Sequence, residues 1–144
     1  GISKCREEMT LVHPVLVVHG GAWYIPEEER SAAMAGCRKA VAAGWARLVE
    51  GASAVDAVEV AVRILEDDPT FDAGRGSYFN RMGDVQMDAM IMDGRTLDFG
   101  AVAAVGTVVH PVTLARRVME RCEHRLIVGD GAEALSDSYV LSRI

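Results

Sequence analysis

Two periodicities, meeting near residue 77, organise the hydrophobic positions of this chain. Ahead of that point, Pro14 leads into Val15-Leu16-Val17-Val18, a mostly β-branched apolar run that stops at Gly20-Gly21. Such a run predicts a short strand buried on both faces, with His19 and the glycines delivered to its end. Over about residues 27–50 the larger apolar side chains Met34, Cys37, Val41, Trp45 and Leu48 recur at steps of three and four, with Glu27, Glu28 and Glu29 near the start and Gly51 after the end. An amphipathic helix is predicted there. Ser53 with Asp56 is a capping-box-like pair that announces a second helix, which carries Val55, Val58, Val62 and Leu65 before Pro69 stops it. The two helices in succession form one layer.

From Ser77 the period becomes two. Tyr78-Phe79, a turn over residues 80–84, and then Val85, Met87, Ala89 and Ile91 alternating with Gln86, Asp88, Met90 and Met92 predict a hairpin. Asp93-Gly94 makes the next turn, and residues 99–109, centred on Ala101-Val102-Ala103-Ala104-Val105, read as a strand squeezed between layers. Pro111 suits the first turn of a helix whose stripe is Ala115, Val118, Met119 and Cys122, with an Arg116–Glu120 pair on its wet side. Leu126-Ile127-Val128 returns as a strand, Gly129-Asp130-Gly131 turns, and a last helix or tail starts at Ala132. This order defines an α+β class rather than an alternating parallel α/β pattern. No repeat, linker or low-complexity tract interrupts it, so the 144 residues are expected to form a single unit.

Composition removes several classes. At 50% hydrophobic the chain has material for a real core, and 15 basic against 21 acidic residues, without a Lys/Arg cluster, argues against nucleic acid as a partner. No apolar run reaches the roughly 18 to 20 residues of a membrane span, and the start lacks a signal-peptide layout, so a soluble cytoplasmic protein is expected. Cys5, Cys37 and Cys122 are odd in number and far apart, which suits packed thiols better than a disulfide framework or a redox or metal site.

Read without any relative, the chemistry-bearing residues yield no triad. Ser77 follows Gly76, but Tyr78 and Phe79 break any nucleophile elbow, and no His is placed to serve as its base. His13, His19, His110 and His124 lack metal-ligand spacing, and Asp84, Asp88 and Asp93 miss that of a calcium loop. Gly74-Arg75-Gly76 follows a helix and lacks a third glycine, so it is a poor phosphate cradle. Glu66-Asp67-Asp68, left to itself, is the solvated end of a helix.

Taken together, His19-Gly20-Gly21-Ala22, then Leu65-Glu66-Asp67-Asp68-Pro69-Thr70-Phe71-Asp72-Ala73-Gly74-Arg75-Gly76, then Met87-Asp88-Ala89-Met90-Ile91-Met92-Asp93-Gly94, say more. In that order and spacing they resemble the N-terminal half of the plant-type asparaginases and isoaspartyl peptidases, which are N-terminal-nucleophile hydrolases. The resemblance runs from Val15 to Ala134, and residues 135–144 resemble the start of a variable linker. It implies a four-layer αββα sandwich of which this chain is the α-chain half. It also implies self-cleavage, with the nucleophilic Thr beginning a β chain from the same precursor, and paired heterodimers, (αβ)2. The small-molecule substrates would be L-asparagine and β-aspartyl dipeptides, with aspartate released. By position, His19, Gly20, Gly21 and Asp72 would support the active site. A structural sodium ion would be held, chiefly through backbone carbonyls, by Leu65, Glu66, Asp68, Phe71, Ala73 and Arg75. Gly106-Thr107-Val108 copies the start of the family's cleavage segment, but Val109 replaces the next glycine, so Thr107 reads as a strand residue.

Three departures stand out. Asp72 occupies a position where relatives usually carry Asn; an ionised Asp accepts hydrogen bonds without donating them, and its charge would repel an aspartyl carboxylate unless it is protonated or paired with a cation such as Arg75 or Arg81. Trp23 and Tyr24 place aromatics beside the glycine turn. Met90 stands where isoaspartyl peptidases commonly have Ser, as in glycosylasparaginases, which makes a glycosylasparaginase-like amidase an alternative. A noncatalytic binding subunit is another.

Overall fold

The computed structural model describes residues 13–22, 24–139 and 141; Cys5 and Trp23 lie outside them. The chain builds an α+β unit. Helix α1 (Glu27–Val49) opens on three acids that complement its dipole. It closes where Gly51, at φ +84°, lets its own N–H reach Leu48 O and the Ala52 N–H reach Arg47 O. Helix α2 (Ala54–Asp67) starts on the full capping box: Ser53 Oγ accepts from the Asp56 N–H, and Asp56 accepts from the Ser53 N–H at 3.0 Å. The two helices pack against each other.

The face that α1 turns inward is not the stripe of large residues. Ala33, Gly36, Ala40 and Gly44 are buried, while Met34 and Trp45 are 54% and 42% exposed. The buried set sits one residue earlier, about 100° round the helix. Close approach explains the choice, since a Cβ on Gly44 would stand 2.8 Å from Ala57 O of α2. The expected strand at Val15–Val18 is also absent from the described residues: Val15 and Val17 are each 83% exposed, and only Leu16 and Val18 turn inward. It therefore has one covered face, not two. Leu16 packs near Gly44, and Val18 joins a small core of Ala40, Ala61, Leu65 and Phe71.

Strands β1 (Met87–Asp93) and β2 (Asp98–Val105) pair antiparallel, and β3 (Leu126–Val128) adds parallel to β2, in the order β1-β2-β3. Of the hairpin expected from residue 78, only the Phe79–Val85 bridge forms ahead of β1. Asp88 sits in a bulge where the register shifts, and its Oδ1 accepts from the N–H of Ala104, held at φ +53°. Helix α3 (Pro111–Arg121) covers one face of the sheet, and α4 (Asp130–Ser138) touches β2 and β3. Gly100 permits the approach of α3, for a Cβ there would fall 2.2 Å from Ala115 O. The core on this side gathers Met87, Ile91, Val102, Val105, Leu114 and Val118, with Val55, Val58 and Val62 of α2 packed against it.

The opposite sheet face is bare: Met90, Met92, Leu126 and Val128 are all exposed by 45% or more. Strand β2 ends at Val105, so Thr107 lies in the following loop and not in a strand. Arg116 is also less wet than its spacing suggests, at 21% side-chain exposure, because Asp56 and Glu59 of α2 hold it alongside Glu120. Helix α4 begins two residues before Ala132 and carries residues 135–138, with Ser136 fully buried.

Candidate active site

The segment after α2 folds into consecutive tight turns. Thr70 N–H donates to Asp68 Oδ1 at 3.0 Å, Phe71 N–H to Asp68 O at 3.2 Å, and Gly76 N–H to Ala73 O at 3.1 Å. These turns bury Phe71 beneath the glycine turn: a Cβ on Gly20 would stand 2.8 Å from the Phe71 ring and 2.9 Å from Cys37 Sγ. Only glycine fits there. Gly21 adopts φ +105°, and its N–H donates to His19 Nδ1 at 3.0 Å. That bond makes Nδ1 an acceptor and, in the neutral ring, leaves the proton on Nε2.

His19, Gly20, Gly21 and Asp72 share one cavity of about 420 Å³, together with Leu65, Phe71, Ala73 and Tyr78. Residues far apart in the sequence thus meet in one place. An adjoining hollow of about 560 Å³ also borders Gly20 and Gly21 and is flanked by the 81%-exposed Tyr24. Neither expected arginine answers Asp72. Its Oδ1 accepts from the backbone N–H of Tyr78 at 3.0 Å, Arg75 lies 3.6 Å from Asp67 instead, and Arg81 is exposed. The reason is the turn itself, which aims the Arg75 side chain back along the end of α2.

The positions expected to hold sodium run from the last turn of α2 into this loop. Carbonyl oxygens crowd two of its glycines: a Cβ on Gly74 (φ +54°) would stand 2.2 Å from Glu66 O, and one on Gly76 2.0 Å from Phe71 O. Backbone oxygens suit a hard cation, and Phe71 O and Ala73 O, which accept the Ala73 and Gly76 N–H groups, each keep a second lone pair. Among the described residues no three His, Cys, Asp or Glu side chains gather as they would to hold a metal ion.

The side chain of Glu66 is a feature that the solvated-end reading of the sequence missed. It is 3% exposed, and its Oε1 accepts from the Val112 N–H, at the start of α3, at 2.9 Å. Burial pushes its carboxyl up to about 8, against the opposing pull of the Val112 hydrogen bond. Its Oε2 is buried without a partner among the described residues. Glu66 lines a further cavity, of about 270 Å³, with Asp72, Ser77, Gln86 and Asp88. The signal was present, since Val58, Val62 and Glu66 lie four residues apart on one helix face. Next to it, Asp67 Oδ1 meets His110 Nε2 at 3.0 Å. Beyond β2, Glu133 receives the Gly106 and Thr107 N–H groups and the Thr107 hydroxyl, which makes Thr107 a loop anchor.

Comparison with known proteins agrees with these motifs. A family profile described as Asparaginase matches residues 12–144. An isoaspartyl peptidase/L-asparaginase of Danio rerio is 50% identical over 125 residues, 87% of this chain and 40% of that protein. A plant-type L-asparaginase of Pyrococcus abyssi is 52% identical over 118 residues, 81% of this chain and 38% of that protein. The Homo sapiens isoaspartyl peptidase/L-asparaginase is 48% identical over 122 residues, 84% of this chain and 40% of that protein. The chain belongs to the asparaginase family, and it spans about 40% of the length of these curated relatives.

Proposed function

We propose that this chain is the α-chain portion of an autoprocessed hydrolase of L-asparagine and β-aspartyl dipeptides. The observation that supports it most is the single cavity in which the His19-Gly20-Gly21 turn meets Leu65, Phe71, Asp72 and Ala73. In this reading a β chain from the same precursor begins with Thr. The Thr hydroxyl oxygen attacks the side-chain carbonyl carbon of the substrate while the Thr α-amine takes the hydroxyl proton. The C–N bond breaks, that proton leaves with the ammonia or peptide amine, and an aspartyl ester remains on the Thr. Water adds to the ester, aspartate departs and the hydroxyl is restored. Gly20 and Gly21 admit the nucleophile closely, and Asp72 lies beside the reacting group. A sodium ion held by the backbone carbonyls of Leu65, Glu66, Asp68, Phe71, Ala73 and Arg75 would supply rigidity to the floor of the site.

The bare apolar face of Met90, Met92, Leu126 and Val128 supports a second sheet packed there, completing a four-layer αββα sandwich. Two heterodimers then pair as (αβ)2 in the cytoplasm, and residues beyond α4 lead into the linker. The full-length protein should hydrolyse L-asparagine and a β-aspartyl dipeptide but not glycosylated asparagine. Folded protein that turns over none of them would contradict the enzyme reading. A noncatalytic binding subunit is the second reading, favoured by one observation: Asp72 presents a hydrogen-bonded carboxylate where the resemblance implies an amide donor in most relatives. Asp72→Asn distinguishes the two, because it should raise hydrolysis in an enzyme and create none in a binding subunit.

A further inference from the structure

We propose that the Glu66 side chain is a positioning residue for the candidate site, fixing the loop of residues 68–76 by anchoring the end of α2 to the start of α3. The family resemblance gives Glu66 only a backbone carbonyl role; the side chain has a separate place in the structure. Its Oε1 accepts the Val112 N–H at 2.9 Å, and both residues are buried, at 3% and 2% exposure. From the same residue the backbone runs into the loop: Gly74 lies against Glu66 O and Cβ, at 2.2 and 2.7 Å from where its own Cβ would be. Two residues before Gly74, Asp72 holds the Tyr78 N–H across the turn. Asp67, hydrogen-bonded to His110, repeats the link between α2 and α3 one residue on. Movement of Glu66 therefore moves the surface on which Gly74 rests, and with it Asp72 in the cavity.

The inference rests on the proposed hydrolase reading for its kinetic arm only. In the full-length processed protein, Glu66→Gln keeps an oxygen in reach of Val112 and should hold kcat within about threefold. Glu66→Ala withdraws it and should lower kcat about tenfold or more per folded molecule with KM little changed, as expected when a reacting group is displaced. Glu66→Asp, which retracts the carboxylate by one carbon without emptying the site, replaces the Ala variant if that does not fold. Amide hydrogen exchange over residues 70–78 should quicken in the Ala or Asp variant and stay at the wild-type rate in the Gln variant. This readout needs no substrate, so it still decides the inference if the wild-type protein proves inactive. Unchanged exchange in the Ala or Asp variant, or a Gln variant as impaired as Ala, would overturn it.

Discussion

Gly74 rests on Glu66 so closely that a methyl group on its α-carbon would stand 2.2 Å from the Glu66 carbonyl oxygen, and its backbone is left-handed at φ +54°. Gly74→Ala therefore meets both a clash with backbone and an unfavourable dihedral. It should cost about 2–4 kcal/mol of stability and abolish any rise in melting temperature that sodium gives the wild-type protein. Thermal melts with and without sodium chloride, against a potassium control, read both effects.

Glu66 should make stability fall with rising pH. Its carboxyl goes from an ordinary value near 4.5 up to about 8 on folding, first because of burial. The folded state therefore keeps a proton that the unfolded chain releases. The contribution is complete below about pH 4.5 and is lost as pH rises through 8. Denaturant titrations from pH 5 to 9 in sodium-free buffer should show a decline on the order of a few kcal/mol, and Glu66→Gln should flatten it.

Asp56 works in the opposite direction. The Ser53 hydroxyl, and after it Arg116, holds its carboxyl down to about 2. A depressed carboxylate contributes stability above the unfolded value and loses it as pH falls towards 2. Ser53→Ala should cost about 1 kcal/mol at pH 7, with a smaller difference from wild type at pH 2.5. Denaturant midpoints of the two proteins at these pH values provide the check.

Leu97 closes the β1–β2 turn at φ +61° while 68% exposed, so its side chain contributes little packing to offset the strained backbone. Leu97→Gly should raise stability by about 0.5–1 kcal/mol with no change in activity, measured as a higher denaturant midpoint at constant slope.

Much of this architecture was legible in the residues. Ser53 and Asp56 marked the start of α2, Pro111 opened α3, and the alternation from Met87 to Ile91 appears as a strand with one buried face. The inward face of α1 was not, because periodicity weighs large apolar side chains, whereas close helix packing selected Ala33, Gly36, Ala40 and Gly44. The fate of Val15–Val18 was hidden for a related reason: its composition suits two covered faces, but coverage depends on what packs against it. At the candidate site, the motifs mark the glycine turn and the loop but not the partner of Asp72. The nearby arginines suggested an ion pair, but tight turns made the Tyr78 N–H the nearer donor. The charge of Glu66 suggests a solvated helix end, but its place in the helical period sets it on the buried face.

Intact-mass analysis with N-terminal sequencing of the protein purified from its native source tests the central claim most directly. The account predicts two copurifying polypeptides, one containing this sequence and the other beginning with Thr. A single uncut polypeptide, with no Thr-initiated partner, would contradict it.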